Sequence, residues 1–423
     1  MDTLAHLKRL SAIKSMSGIA QLTPAAFPGS HCPMHTALSL AVHISGISTI
    51  VIGTPECGYY SRNIPLSVEH SNAIFHWSYI LDSKEIVFGC RKGLTDAVLE
   101  MDKAGAKAIL LISTCIPELI GEDVESLCAE LQPKVNATLL HVSLGNFKCG
   151  GYEPGNWKTL FAFRKLIRQE GASDGTVNVL GRSKDDDHSP LPLLLCQLEK
   201  LDVSLRYIGP ESALDDFVNA GQARLNLILS PFFDQLGEWM DQKLNIPGVN
   251  LHSVYSADEI RAAYVRVGQL LDMNLEQGFL EQYQEIRQLE KQVEKQAARH
   301  HYVSATIGAL QPLPLSLYLA SLKKSPILIH MEEFYTSDAG FKKMLLARGE
   351  DPPICLMLNP DADWEIIKRL QPDFVLSDRL YPGSVLPVIR ISDLYMRVGF
   401  ERTKLLLERL CPVWKEGNTD GTL

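Results

Sequence analysis

The stretch "TIVIGTPECGYYSR", residues 49–62, sets a β-branched apolar run against a proline, an acid, a cysteine, two tyrosines and an arginine. The run reads as a strand buried on both faces, as in parallel sheets covered on each side. The residues after it read as a strand-end loop, and α/β proteins gather their chemistry outside the carboxyl ends of parallel strands. Cys57 therefore has two readings, a ligating thiol or a small buried filler, which is how most free cysteines behave. The loop alone does not decide between them.

Runs of the same kind recur along the chain. "EIVFGC" at 85–90, "AILLISTC" at 108–115 and "TLLHVSL" at 138–144 complete a first set. "TVNVLGR" at 176–182, "VSLRYIG" at 203–209 and "LNLILS" at 225–230 form a second. "HYVSATIG" at 301–308, "SPILIHM" at 325–331, "ICLML" at 354–358, "DFVLSD" at 373–378 and "LPVIRI" at 386–391 form a third. Amphipathic stretches lie between them, so the expected fold is α/β, with three Rossmann-like subdomains whose parallel sheets are flanked by helices. The Gly-rich "GNFKCGGYEPGNW" at 145–157 closes the first set, and a charged stretch at 274–298, read as a solvated connecting helix, leads into the third. The expected division is 1–170, 171–275 and 276–423.

Length and composition bound the rest. A chain of 423 residues with 46% hydrophobic and 22% charged content is that of an ordinary globular protein with a large core. Lysine and arginine number 41 against 50 acids, a net charge of −9 without a basic run, which argues against a nucleic-acid partner. Nothing approaches the roughly 18 apolar residues of a membrane span. The opening "MDTLAHLKRLSAIKSM" alternates as a helix does rather than as a secretory h-region, so a cytoplasmic location is expected. Nine cysteines there are thiols or metal ligands rather than disulfides.

No G-x-G-x-x-G opens a helix after a strand and no G-x-x-x-x-G-K-[ST] occurs, so neither NAD nor ATP is expected to bind by those devices. Three cysteines share one setting: Cys57 and Cys115 follow strands, and Cys32 precedes a helix. Such points converge on one edge of a parallel sheet, where helix N-termini favour thiolates. Soft, ionised ligands suit an iron–sulfur cluster or zinc. His31 and His35 beside Cys32 favour zinc, but the three cysteines lie far apart along the chain, whereas structural zinc sites show close ligand pairs. Spacing alone also allows three buried fillers.

The wording around the cysteines resembles the nitrogenase component 1 family, which spans the molybdenum–iron protein chains, cofactor-assembly scaffolds and nitrogenase-like reductases. The similarity rests on "GTPECGYYSR", "DSKEIVFGCRKGLTDAV" at 82–98 and "STCIPELIGEDVESL" at 113–127, with the Phe- and Gly-containing loop at 145–157. It is good as far as that loop and thins beyond it, although "ARLNLILS" at 223–230 and "QPDFVLSD" at 371–378 still look related. The resemblance implies that Cys32, Cys57 and Cys115 hold an iron–sulfur cluster at an interface between two component 1 chains, with Gly58 admitting close backbone approach. Three ligands under-fill a [4Fe–4S] cluster, so a second chain completes it, or a larger shared cluster takes three from each side. Cys149 falls near an additional ligand position of the family's beta chain, and a packed thiol is the alternative.

The family also implies a separate ATP-dependent iron–sulfur reductase and a substrate, small-molecule or tetrapyrrole, with the chain an iron–sulfur oxidoreductase passing electrons to that substrate or to a second cofactor. The alternatives are a scaffold for metallocofactor assembly and a beta-type partner of a catalytic sister chain in a homo- or heterodimer or α2β2 assembly. The family's cofactor-anchoring cysteine aligns with Ser230, its histidine with Ile389 and Arg390, and two cofactor-side residues with Trp157 and Tyr152. Serine and arginine are poor iron ligands, so dinitrogen reduction by this chain alone is not expected. Arg390 reads either as an anion site or as an ion-pair partner of Asp378 or Asp393. Arg62 and Arg91 read as cluster counter-charges or as partners of surface carboxylates. His300 and His301 read as solvated or packed, and "KDDDHSP" at 184–190 as a loop and helix cap.

Overall fold

The computed structural model describes residues 4–24, 32–61, 64, 74–149, 151–168, 175–184, 190–295, 299–305, 311–379, 381, 384–395 and 397–411. The chain enters through two short strands, β1 (Lys8–Arg9) and β2 (Ala20–Gln21), whose partner lies in the last third of the sequence. Lys8 and Arg9 pair antiparallel with Ile354 and Pro353, and Ala20 and Gln21 pair parallel with Cys355 and Leu356. The helix expected at the start gives way to these edge pairings, which cover an otherwise open strand. Both short strands thus extend the third sheet.

The first sheet holds β3 (Ile47–Gly53), β4 (His76–Ile80), β5 (Ala108–Ser113) and β6 (Thr138–Ser143), all parallel, in the order β4-β3-β5-β6. Every residue of β3 and β5 is buried, as the uninterrupted apolar runs require. Its helices are α1 (Pro33–Val42), α2 (Pro55–Ser61), α3 (Ser83–Phe88), α4 (Arg91–Lys103), α5 (Cys115–Ile120), α6 (Val124–Leu131), α7 (Asn146–Cys149) and α8 (Glu153–Ala162). The strand expected over 85–90 is instead α3. Asp82 accepts from the Lys84 and Glu85 amides at 2.7 and 2.8 Å, and Glu85 accepts from the Asp82 amide at 3.0 Å. That reciprocal cap nucleates a helix whatever the β propensity of "IVF".

The second sheet comprises β7 (Val177–Leu180), β8 (Leu205–Ile208), β9 (Leu225–Ile228) and β10 (Gly248–Asn250), parallel in the order β10-β9-β7-β8. The third adds β11 (His300–Ala305), β12 (Lys324–His330), β13 (Pro353–Leu356), β14 (Phe374–Ser377) and β15 (Val388–Arg390), in the order β1-β13-β12-β11-β14-β15. A single apolar core runs between the second and third sheets and includes the helix Leu280–Glu294. That helix is not solvated all round: Ile286 and Val293 are buried, and buried Glu290 accepts from the Ala257 amide at 3.0 Å and from Tyr318 Oη at 3.3 Å.

Strand order reverses between β3 and β5, and again between β7 and β9. At such switch points the loops leave the sheet in opposite directions and open a crevice beyond the carboxyl ends of the strands. Cys57 and Cys115 follow the first pair, and Gly181 and Ser230 follow the second.

Candidate functional site

Cys32 is the extended N-cap residue of α1, Cys57 lies in the first turn of α2, and Cys115 is the first residue of α5. All three are half-buried. The Cys32 thiol is pushed up, first by burial and further by Cys115 and Cys57, so both lie within electrostatic reach of Cys32. The backbone amides of Met34 and His35 oppose this, but burial outweighs them, contrary to the expected lowering by the helix N-terminus. Thr54 Oγ1 lies 3.7 Å from Cys57 Sγ, and Thr114 Oγ1 lies 3.5 Å away on the other side. The Asn146 amide donates to Cys115 Sγ at 3.2 Å.

Gly53, at the end of β3, makes this packing possible. A Cβ there would stand 2.4 Å from Thr114 Oγ1 and 2.9 Å from Cys57 Sγ. Gly58, by contrast, faces Ile80 of β4, where a Cβ would meet Cδ1 at 2.7 Å, so its close approach is to a strand. Among the described residues no three of histidine, cysteine, aspartate and glutamate converge enough to hold a single metal ion, so zinc has no ready ligand set there. His31 lies outside the described residues, and His35 packs edge-on against Tyr60 at 5.8 Å. Cys149 is buried and lies 3.6 Å from Lys158 Nζ. Burial pushes its thiol up while Lys158 pulls it down.

Around Cys57 and Cys115 the surface is apolar. Tyr59 of α2 is 65% exposed, Val87 and Phe88 of α3 are 71% and 85%, Leu119 of α5 is 60% and Phe147 of α7 is 75%. The "IVF" of α3 is thus apolar because it serves a surface and not a core. Exposed patches of this kind mark interfaces.

A second constellation lies where the three sheets meet, and sequence reasoning named only its edges. Tyr152 Oη donates to Glu332, and Tyr335 Oη donates to Glu153. Trp157 Nε1 donates to Glu333 Oε2 at 3.2 Å. Ser337 Oγ donates to Asp234 Oδ2 at 3.3 Å, while Asp234 Oδ1 sits 2.7 Å from His252 Nε2. Asp338 Oδ2 accepts from the Tyr335 amide at 2.8 Å. Glu153 and Asp338 are buried, whereas Glu332, Glu333 and Asp234 keep part of their surface open. Burial, with help from Asp234 and Glu333, pushes the Asp338 carboxyl up to about 8, and burial raises Glu153 well above the carboxylate range. The available signal was "HMEEFYTSD", 330–338, an acid pair directly after a buried strand.

Ser230 is buried at the end of β9 and caps the turn after it, accepting from the Phe232 amide at 3.4 Å. Ser230→Ala is therefore expected to cost about 0.5–1 kcal/mol as a lost cap. It should leave iron content unchanged, which metal analysis beside a denaturant titration will check. Arg390 pairs with neither Asp378 nor Asp393 in the described contacts. Its Nε donates to Ser392 Oγ at 2.7 Å, and Asp393 is taken by Arg409 at 2.6 Å. Arg91 pairs with Glu130, so its charge is spent on a surface carboxylate. His300 Nδ1 lies 2.9 Å from Lys324 Nζ, and His301 stands 4.0 Å from Asp373. Arg62 and residues 185–189 lie outside the described residues.

A family model described as nitrogenase component 1 type oxidoreductase matches residues 32–413. The nitrogenase iron-molybdenum cofactor biosynthesis protein NifE of Clostridium pasteurianum is 25% identical over 229 residues, 52% of this chain and 49% of that protein. The nitrogenase molybdenum-iron protein alpha chain of Rhodobacter capsulatus is 26% identical over 284 residues, 63% of this chain and 54% of that one. The chain spans about half the length of the curated relatives it matches. Among solved structures, nitrogenase Cp1 at pH 6.5 superposes with a TM-score of 0.66 over 92% of this chain and 93% of that chain, at 15% identity, a likeness of fold. The expected α/β architecture is the one found. No helix among the described residues is long and apolar enough to cross a membrane.

Proposed function

The chain belongs to the nitrogenase component 1 type oxidoreductases, and from that premise we propose that it is an iron–sulfur subunit that pairs with a second component 1 chain. It takes electrons from an ATP-dependent iron–sulfur reductase and passes them to a substrate or second cofactor. One observation carries this: Cys57 and Cys115 follow the two strands of a sheet switch point, both within electrostatic reach of Cys32, beside an exposed apolar face. The donor set fits an iron–sulfur cluster, since it is all thiol and half-buried. Cys32, Cys57 and Cys115 would hold it, and when bound it supplies one-electron transfer. The chain's own groups position the sulfurs. Thr54 Oγ1 donates toward Cys57 Sγ, Thr114 Oγ1 packs against it while donating to Ile52 O, and the Asn146 amide donates to Cys115 Sγ. Donors to sulfur tune a potential. The apolar side chains of α2, α3, α5 and α7 would exclude water once covered by the second chain.

A second reading has support of its own, because several curated relatives are NifE cofactor-biosynthesis proteins. In that reading the chain is a scaffold, and whatever forms on it is handed on without turnover. Ser230, Ile389 and Arg390 offer no thiolate or imidazole anchor, which suits temporary holding or a partner role. Anaerobic purification with a coexpressed reductase separates these possibilities. The expected product is brown, with iron and acid-labile sulfide in comparable amounts and two or more chains per particle. Stoichiometric zinc without iron would refute the cluster. Release of a metallocofactor to an acceptor protein, without reductant consumption, would select the scaffold.

A further inference from the structure

The constellation between the three sheets is rich in acceptors. Tyr152, Tyr335 and Trp157 spend their donors on Glu332, Glu153 and Glu333. Four buried atoms of this constellation then remain without a hydrogen-bond partner among the described residues, the oxygens Asp338 Oδ1 and Gln311 Oε1 and the ring nitrogens His252 Nδ1 and His330 Nε2. Asp338 Oδ1 belongs to a residue 0% exposed, and Gln311 Oε1 to one 3% exposed. Gln311 is turned inward, since its Nε2 donates at 3.3 Å to Ser337 Oγ, which itself donates to Asp234. Among the described residues no lysine or arginine forms an ion pair with Glu153, Asp234, Glu333 or Asp338. The nearest ammonium, Lys158, acts on Glu333 from a distance, its Nζ lying 3.5 Å from Ser143 O and 3.6 Å from Cys149 Sγ. His252 sits on Asp234, and His330 Nε2 stands 3.3 Å from Glu332 Oε1. His330 Nδ1 accepts from the Met357 amide at 2.9 Å, so the proton on that ring lies at Nε2.

Buried acceptors without donors are costly in a free protein, and sites that hold such strain do so where a ligand relieves it. We propose that this cleft binds the cationic nitrogen of a small ligand, an ammonium or amidinium group, among Glu333, Asp234 and the unpartnered oxygens of Asp338 and Gln311. A group carrying several N–H donors and a positive charge satisfies these oxygens once Asp338 is ionised. An anion, which Arg390 had suggested, meets a wall of like charge. In terms of the function proposed above, the ligand is the substrate or second cofactor itself. Cation binding needs no iron, so the two ideas fail separately.

Asp338 must ionise before it can pair with a cation. Affinity should therefore climb with pH until it passes about 8 and level off above, with proton release on binding. Titration calorimetry on the anaerobically purified protein, with agmatine and cadaverine as cationic probes and glutarate as an anion of similar length, tests this. The expected result is saturable binding of the amines only. Asp338→Asn and Glu333→Gln should each weaken it roughly tenfold or more. Asp338→Asn should melt no lower than the unsubstituted protein, because a buried unpaired carboxyl is gone, and iron content should be equal in all three. Failure of both amines to bind, glutarate binding as tightly as agmatine, or Asp338→Asn binding agmatine normally would each overturn the assignment.

Discussion

Cys57→Ala is expected to yield a protein with background iron that no longer associates with its partner chain. The sulfur it removes stands between the Thr54 and Thr114 hydroxyls, within electrostatic reach of Cys32, at the switch point of the first sheet. Without it, the Cys32 and Cys115 thiols lack the third ligand that the proposed cluster would need. Closing a partner's surface over such unsatisfied groups costs about 1–3 kcal/mol each. That is enough to turn a stable association into a weak one, since about 1.4 kcal/mol is a tenfold change in affinity. Cys115→Ala should behave alike. The control is Cys128→Ala on α6, where burial pushes the thiol up to about 12 and out of metal chemistry. It should lose some packing but keep iron and assembly. Iron analysis and size-exclusion chromatography on the three variants decide the matter: a Cys57→Ala protein that stays assembled and iron-loaded refutes the ligand role.

The sheets were legible because parallel strands with both faces covered leave uninterrupted apolar runs, and β3, β5 and β9 are such runs. The errors came where apolar residues serve other ends. "EIVFGC" imitated a core strand because α3 presents an apolar face outward, and the capping box that makes it a helix lies in Asp82, just ahead of the run. The N-terminal strands escaped notice because their partner, β13, lies near the other end of the chain. The thiols could be found since each sits next to a strand or helix boundary in its own segment. The carboxylate cleft could not, because Glu153 and Tyr335 approach one another across 182 residues and neither segment alone suggests the other.

Gly155→Ala is expected to unsettle the site from behind. Gly155 lies in the first turn of α8, where the helix presses against the start of α1. A Cβ there would stand 1.9 Å from Thr36 Oγ1 and 2.1 Å from Pro33 O. Neither atom can step aside cheaply. Thr36 Oγ1 is held within 2.7 Å of Tyr152 O and 3.0 Å of Pro33 O, and the Pro33 carbonyl is backbone directly after Cys32. The added methyl must therefore move α1 as a body, at the roughly 1–3 kcal/mol typical of overpacking, and more where backbone is struck. Moving α1 moves Cys32 away from Cys57 and Cys115, so stability and iron content should fall together. Gly151→Ala supplies the contrast: its Cβ would meet only Glu332 O, at an ordinary 3.5 Å, and both properties should hold. Thermal melts with iron analysis on the two variants measure the difference. A Gly155→Ala protein that melts with the unsubstituted one and keeps its iron would mean that α1 yields freely and that Cys32 is not held in place by α8.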